Sequence, residues 1–178
     1  MGSGALFSLL FGEKDFERLR RFIAQSFWMI GAVTLALCAA AFLWIDPVLS
    51  LLRVPAEVYG LLRGYLRVIF MGIPAVFLYN YFACLLRAVG DSLIPLVFLS
   101  ISAVLNIALD LLFVAVWPMG VIGAAAATVI AQVISGIGIL VYTLLRRPEL
   151  RVSSRHMRPD IAALREIMRF SFLTCAQQ

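Results

Sequence analysis

Charged residues are scarce in this sequence, and long stretches contain none. Asp, Glu, Lys and Arg make up 14% of the 178 residues, whereas a typical soluble domain has about 25%. The charge-free stretches are 22–45, 68–86, 92–109 and 111–145. Apolar runs of about 18 residues or more can cross a hydrocarbon core roughly 30 Å thick. The scarcity of charge therefore excludes an ordinary water-soluble fold and predicts membrane-spanning helices.

Metal-ligating and nucleophilic side chains are also few. The chain has one histidine, His156, and three cysteines, Cys38, Cys84 and Cys175. The cysteines lack metal-ligand spacing and are interpreted as small apolar packing residues. No nucleophile elbow, phosphate loop, zinc-protease helix or dinucleotide fingerprint is present. The sequence therefore predicts neither an enzyme nor a bound cofactor. Its net charge of +5 does not predict nucleic-acid binding, because the basic residues flank the apolar runs.

The charge-free stretches predict an all-α, polytopic helix bundle with spans at about 22–45, 65–86, 95–116 and 121–145. The Trp-Pro-Met-Gly segment at 117–120 separates the last two spans, because proline cannot continue a helix and glycine tolerates a tight turn. The first span is expected to close at Asp46 and Pro47. Within the second span, Pro74 is expected to free a backbone carbonyl and to bend the helix.

Two further segments predict partial spans at the ends of the chain. Residues 5–11 are typical of the last turns of a helix that begins earlier. Asp160 can cap a helix that turns apolar towards residue 178. The expectation is a fragment of a larger bundle, with four complete spans and two partial ones.

The basic residues predict the orientation in the membrane. With four spans, both ends of the chain lie on the same side. Of the 15 Lys and Arg residues, only Arg53, Arg63 and Arg67 fall on the opposite side. By the positive-inside rule both ends are then cytoplasmic. This predicts a multi-pass protein of the plasma membrane, which is the inner membrane in a cell with two membranes. The lipid bilayer would surround it.

Asp110 is the most informative polar residue. It lies about 22 Å from Pro95 at helical rise, within the depth of the hydrocarbon core. A charge there costs at least about 3 kcal/mol and normally faces a cavity or a partner. Asn106 and Ser102 precede it at four-residue intervals and share its helix face. We interpret Asp110 as a proton or cation site that can hold sodium; the alternative is a hydrogen bond to a neighbouring helix.

Other polar residues within the spans are weaker candidates. Asn80 and its neighbour Tyr79 follow Pro74 and can line the same cavity, although an interhelical hydrogen bond explains Asn80 equally well. Thr128 and Gln132 lie one turn apart in the fourth span. The alternative for Thr128 is a hydrogen bond to a carbonyl of its own helix. Ser102, Tyr79 and Gln132 are candidate cavity-lining residues.

Several motifs together resemble the multidrug and toxic compound extrusion (MATE) family. In chain order they are GALFS at 4–8, YLR at 65–67 with Gly72 and Pro74, LRAVGD at 86–91 with Pro95, LNIALD at 105–110, MGVIGAA at 119–125 and AT at 127–128. Each motif is moderately specific, whereas their order and spacing are strong. The resemblance covers nearly the whole chain.

The resemblance implies a twelve-helix, two-lobe antiporter. Residues 1–145 would form most of the N-terminal lobe, from the end of helix 2 through helix 6. Residues 146–159 would be the cytoplasmic linker between lobes, and 160–178 the start of helix 7. Helix 1 and the C-terminal lobe would be missing partners.

In some prokaryotic members of the family, the cation site matches Asp110, Asn106, Thr128 and Asn80. That site also uses an acidic residue of helix 1, so it would be incomplete in this chain.

The resulting hypothesis is a secondary active exporter that exchanges sodium ions or protons for organic cations or other amphipathic, drug-like compounds. One alternative is a flippase for lipid-linked precursors within the same superfamily, which would need a cationic cavity. Another is a membrane fragment that does not transport.

Overall fold

The computed structural model describes the backbone of residues 2–152 and the side chains of residues 4–152. The predictions for the helix that starts at Asp160, for His156, for Cys175 and for most of the linker lie outside the described residues.

The described chain is helical throughout, and it contains four apolar helical spans. The elements are α1 (Gly2–Gly12), α2 (Phe16–Leu51), α3 (Ala56–Met71), α4 (Ile73–Ala88), α5 (Leu93–Asp110), a π-helix (Leu111–Val116), α6 (Gly120–Arg146) and a 3-10 turn (Pro148–Leu150). The helices α2, α3 with α4, α5 with the π-helix, and α6 are each long and apolar enough to cross a membrane. The predicted all-α bundle with four spans is confirmed.

The first span is longer than expected. Asp15 caps α2 by accepting a hydrogen bond from the backbone N–H of Arg18 at 3.1 Å. At the other end α2 does not close at Asp46 and Pro47 but continues to Leu51. A proline within a helix removes one backbone hydrogen bond. Burial of Leu49 holds the last turn against the bundle and helps to offset that loss.

The second span is broken into α3 and α4 at Gly72, two residues before Pro74. Because Pro74 has no N–H, it cannot donate to the carbonyl of Phe70 four residues earlier. The thiol of Cys38 in α2 donates to that carbonyl at a sulfur-to-oxygen distance of 3.4 Å. Cys38 is therefore more than a packing residue, since it satisfies the backbone acceptor that the proline leaves open.

Small residues allow α6 to pack closely against its neighbours. A Cβ at Gly136 would lie 2.9 Å from the carbonyl oxygen of Ala75 in α4, and one at Gly138 would lie 2.7 Å from the ring of Phe98 in α5. The largest buried cluster includes Phe7, Leu85 and Leu86. The helix α5 contrasts with α6, because Pro95 is its only buried residue. Such apolar exposure is expected of a helix that faces lipid.

Candidate functional site

Asp110 is the last residue of α5, and its side chain is half-buried. Its Oδ1 atom is shielded from solvent and accepts no hydrogen bond from any described residue. A buried carboxylate oxygen without a partner is energetically costly. Such an atom can accept a proton or coordinate a cation.

The helix changes character directly after Asp110. Leu111–Val116 forms a π-helix, in which backbone bonds span five residues instead of four. At its end the N–H of Trp117 donates to the carbonyl of Leu112 at 2.9 Å. Turns of this kind often occur at functional sites. The sequence contains no signal from which we could predict this segment.

Asn106 and Thr128 are brought together by the packing of α5 against α6. The Nδ2 of Asn106 donates to the Oγ1 of Thr128 at 3.2 Å. Thr128 in turn donates its hydroxyl proton to the carbonyl of Ala124 at 3.1 Å. The hydrogen bond of Thr128 to its own helix is therefore present, and the threonine also accepts from Asn106. One lone pair of its hydroxyl oxygen is not used by these two bonds.

A cavity of about 240 Å³ lies between α4, α5 and α6. It is lined by Val76, Tyr79, Asn80, Leu99, Ser102, Gln132 and Ser135. None of these side chains is charged. The four residues predicted to line a cavity all line this one. They are Asn80, Tyr79, Ser102 and Gln132.

The donors around this cavity are mostly bonded to backbone carbonyls. Tyr79 donates to Pro95 O at 2.8 Å, Asn80 donates through Nδ2 to Val76 O at 2.9 Å, and Ser102 donates to Ala131 O at 3.2 Å. Within residues 4–152, no hydrogen bond joins Asn80 to Asp110, Asn106 or Thr128. The predicted cation-site residues therefore fall into two groups, one at the α5–α6 contact and one in the cavity.

Ser135 belongs to the cavity but is absent from the sequence-based set. Its hydroxyl donates to the carbonyl of Phe98 in α5 at 3.0 Å. It follows Gln132 by three residues, a spacing that places both on one helix face. From this spacing, Ser135 could have been predicted as a further cavity residue.

The described residues contain no group of three or more His, Cys, Asp or Glu side chains that could hold a metal ion. Divalent ions usually require several charged or nitrogen ligands.

Comparisons with known proteins identify the family and the fold of this chain. The profile of the MatE family matches residues 1–112. The probable multidrug resistance protein YpnP of Bacillus subtilis is 34% identical over 133 residues, which are 75% of this chain and 30% of that protein. The multidrug export protein MepA of Staphylococcus saprophyticus is 28% identical over 174 residues, covering 97% of this chain and 38% of the relative.

A solved MATE structure in the bent conformation superposes with a TM-score of 0.87 at 23% sequence identity. The superposition covers 96% of this chain and 38% of the solved one. At this identity the likeness shows the fold alone. The chain thus spans between a third and two fifths of the length of most of the proteins it matches.

Proposed function

Because the chain belongs to the MatE family, a family of transporters and not of enzymes, we propose that the whole protein is a secondary active multidrug exporter. It exchanges sodium ions or protons for organic cations or other amphipathic compounds. The family resemblance of the sequence motifs is confirmed by the profile match. The chain supplies most of one lobe, and a preceding helix and a second lobe complete the transporter.

The unpartnered carboxylate oxygen of Asp110 is the observation that carries the coupling proposal. An oxygen buried in an apolar span without a donor is stabilised by a proton or by a cation. Either ligand can be released when the surroundings change. This is the property that a coupling site needs.

Asn106 and Thr128 provide further oxygen atoms near Asp110. The amide of Asn106 points its Nδ2 at Thr128, so its carbonyl oxygen is free of that bond. Asp110 follows Asn106 by one helical turn, on the same face. Carboxylate, amide and hydroxyl oxygens are hard ligands that suit sodium. The same oxygen atoms would accept a hydrogen bond from a protonated Asp110 or from a water molecule bound to it.

The coupling follows from a shift between two conformations. An ion that binds Asp110 more tightly in one conformation moves the equilibrium towards it by that difference in affinity. Substrate in the cavity biases the same equilibrium in the opposite direction. Asn80, Ser102, Tyr79 and Gln132 would then contact the substrate or its water, because they line the cavity.

The uncharged cavity favours an exporter over the flippase of lipid-linked precursors. A pyrophosphate headgroup would require basic side chains, and none lines the cavity. Arg63, in the middle of α3, is paired with Asp46 at 2.6 Å.

Substitution of Asp110 by Asn in the full-length protein tests the proposal. We expect ion-driven efflux of a fluorescent organic cation from membrane vesicles to fall at least about fivefold, since the coupling free energy between two sites is about 1–3 kcal/mol. Ser100→Ala is a matched control on the same helix, because this exposed hydroxyl donates only to Leu96 of its own helix. Efflux that is unchanged in Asp110→Asn would remove Asp110 from the mechanism.

The proposed orientation places both ends of the described bundle in the cytoplasm of the cell, with the protein in the plasma membrane. The start of α2, the α4–α5 turn and the end of α6 lie at one end of the bundle, since Arg20 bonds to residue 149 and Arg147 to Asp91. That end carries most of the basic residues. Cysteines introduced at Glu13 and Glu57 test it: a membrane-impermeant thiol reagent added outside intact cells should label only position 57.

A further inference from the structure

The chain does not leave the bundle where α6 ends. Residues 147–152, called here the exit turn, fold back against it, and their centre is the 3-10 turn Pro148–Leu150. Leu150 is only 3% exposed and belongs to the main hydrophobic cluster. Leu150 and Val152 also line an apolar pocket with residues of α2, α4 and α6. A segment that merely connects two domains would be solvated, so this burial indicates an anchored segment.

Arginine side chains hold the backbone of the exit turn. Arg20 at the start of α2 donates through Nε to Glu149 O at 2.9 Å and through Nη2 to Pro148 O at 3.3 Å. Arg151 donates to the carbonyl of Leu144 at 2.5 Å. These charge-assisted bonds satisfy carbonyls at and just after the end of α6, which have no partner within the helix.

An ion pair joins the exit turn to the α4–α5 turn. A guanidinium nitrogen of Arg147 lies 2.9 Å from Oδ2 of Asp91, and another lies 3.6 Å from Glu149. The Asp91 side chain is only 13% exposed, and that of Arg147 is 32% exposed. The hydrogen bond to Asp91 raises the pKa of the Arg147 guanidinium above its ordinary value, so Arg147 is charged throughout the pH range of any transport assay.

The LRAVGD motif explains why Asp91 can serve as a fixed anchor. Gly90 adopts a φ of +87°, which glycine tolerates better than any other residue. This allows the N–H of Asp91 to donate to Leu86 O at 2.9 Å, and Leu86 is fully buried. The Oδ1 of Asp91 accepts from the N–H of Ile94 at 3.4 Å. The backbone of Asp91 and its Oδ1 atom are thus both held, while Oδ2 meets Arg147.

We propose that Asp91 and Arg147 are positioning residues of the transport cycle, which together clamp the exit turn to this lobe. The turn then moves with this lobe as one body. This inference rests on the proposed transport function. Neither residue contacts the candidate cation site or the cavity, so both act through the exit turn.

Hydrogen–deuterium exchange of the full-length protein measures the clamp directly. The N–H groups of Leu150 and Arg151 donate to carbonyls within the turn and report its opening. Because hydrogen bonds to charged groups contribute about 1.5–3 kcal/mol, we expect Asp91→Asn or Arg147→Gln to speed their exchange about tenfold to a hundredfold. Exchange in Asp91→Asn at the wild-type rate would overturn the clamp.

A charge reversal separates a specific pair from general loss of structure. Asp91→Arg combined with Arg147→Asp should recover most of the protection that either single substitution removes. Asp46→Asn is the matched control, because that carboxylate pairs with Arg63 at the other end of the bundle; its exit turn should exchange as in the wild type. Failure of the reversed pair to restore protection, in a protein that inserts normally, would contradict a direct pairing.

Transport kinetics test the positioning role. In Asp91→Asn the maximal efflux rate should fall about tenfold while the affinity for the coupling ion stays unchanged, and the reversed pair should recover the rate. A loosened turn with wild-type efflux would overturn the role in transport. The exchange measurement does not depend on transport, so a wild-type protein without efflux would refute the proposed function and the transport role but leave the clamp standing.

Discussion

Two aspartates lie at the two ends of α5, and they differ in how their carboxylates are satisfied. Asp91, before α5, accepts from Ile94 and from Arg147. Asp110, at the end of α5, has a buried oxygen without any partner among the described residues. A saturated carboxylate holds structure together, whereas an unsaturated one is available for a ligand. The surroundings of each aspartate, and not the residue type, decide whether its carboxylate is saturated.

The comparison is tested most strongly by neutralising each aspartate in turn. Asp91→Asn should lower the thermal unfolding temperature of the detergent-solubilised full-length protein, because the partly buried Arg147 keeps only its longer contact with Glu149, at a cost of about 1–3 kcal/mol. Asp110→Asn should leave that temperature unchanged or slightly higher, since it breaks no bond. Equal melting temperatures for the two variants would show that the contrast between the carboxylates is false.

The two asparagines of the predicted cation site allow a second, smaller test. Asn106→Ala removes a bond that crosses from α5 to α6. Asn80→Ala removes only a bond to its own helix, from an exposed side chain. We expect the loss of Asn106 to weaken ion binding at least fivefold, about 1 kcal/mol, and Asn80→Ala to change it less. Isothermal titration or ion-dependent melting measures this, and the reverse order would place the ion in the cavity.

A third carboxylate sharpens the comparison with the smallest expected effect. Asp46 is paired with Arg63 at 2.6 Å and accepts a hydrogen bond from Tyr59 at 3.0 Å, as fully bonded as Asp91. Its side chain is, however, 48% exposed, and exposed ion pairs contribute little. Asp46→Asn should shift the melting temperature much less than Asp91→Asn. A shift as large as that of Asp91→Asn would show that bonding alone, without burial, determines the stability.

Pro47 and Pro74 show where sequence patterns predict the fold and where they do not. Pro74 was expected to free a carbonyl, and the carbonyl of Phe70 does accept from Cys38 in another helix. Pro47 was expected to close the first span, yet α2 continues to Leu51. Both prolines remove one hydrogen bond. The outcomes differ because the helix is interrupted at Gly72, beside Pro74. A Cβ at Gly72 would lie 2.8 Å from the side-chain oxygen of Gln132.

The candidate site was partly predictable for a similar reason. The four-residue spacing of Ser102, Asn106 and Asp110 places them on one face of a helix, and this can be read from the sequence. The contact of Asn106 with Thr128 depends on how α5 packs on α6. The family resemblance predicted this pair. The spacing of residues within one helix cannot predict a contact between two helices. The π-helix after Asp110 and the role of Ser135 were not anticipated by either route.

Membrane embedding, the four spans and the candidate acid within the third all follow from the order of residues, because the cost of placing charges in hydrocarbon is paid locally, residue by residue. Which of the aspartates is saturated does not follow from that order. Arg147 reaches Asp91 across 56 residues of sequence, and only the return of α6 to the end of the bundle where α2 begins brings them together. Asp110 meets no such partner in the described part of the chain, and this difference in packing leaves its Oδ1 atom without a hydrogen bond.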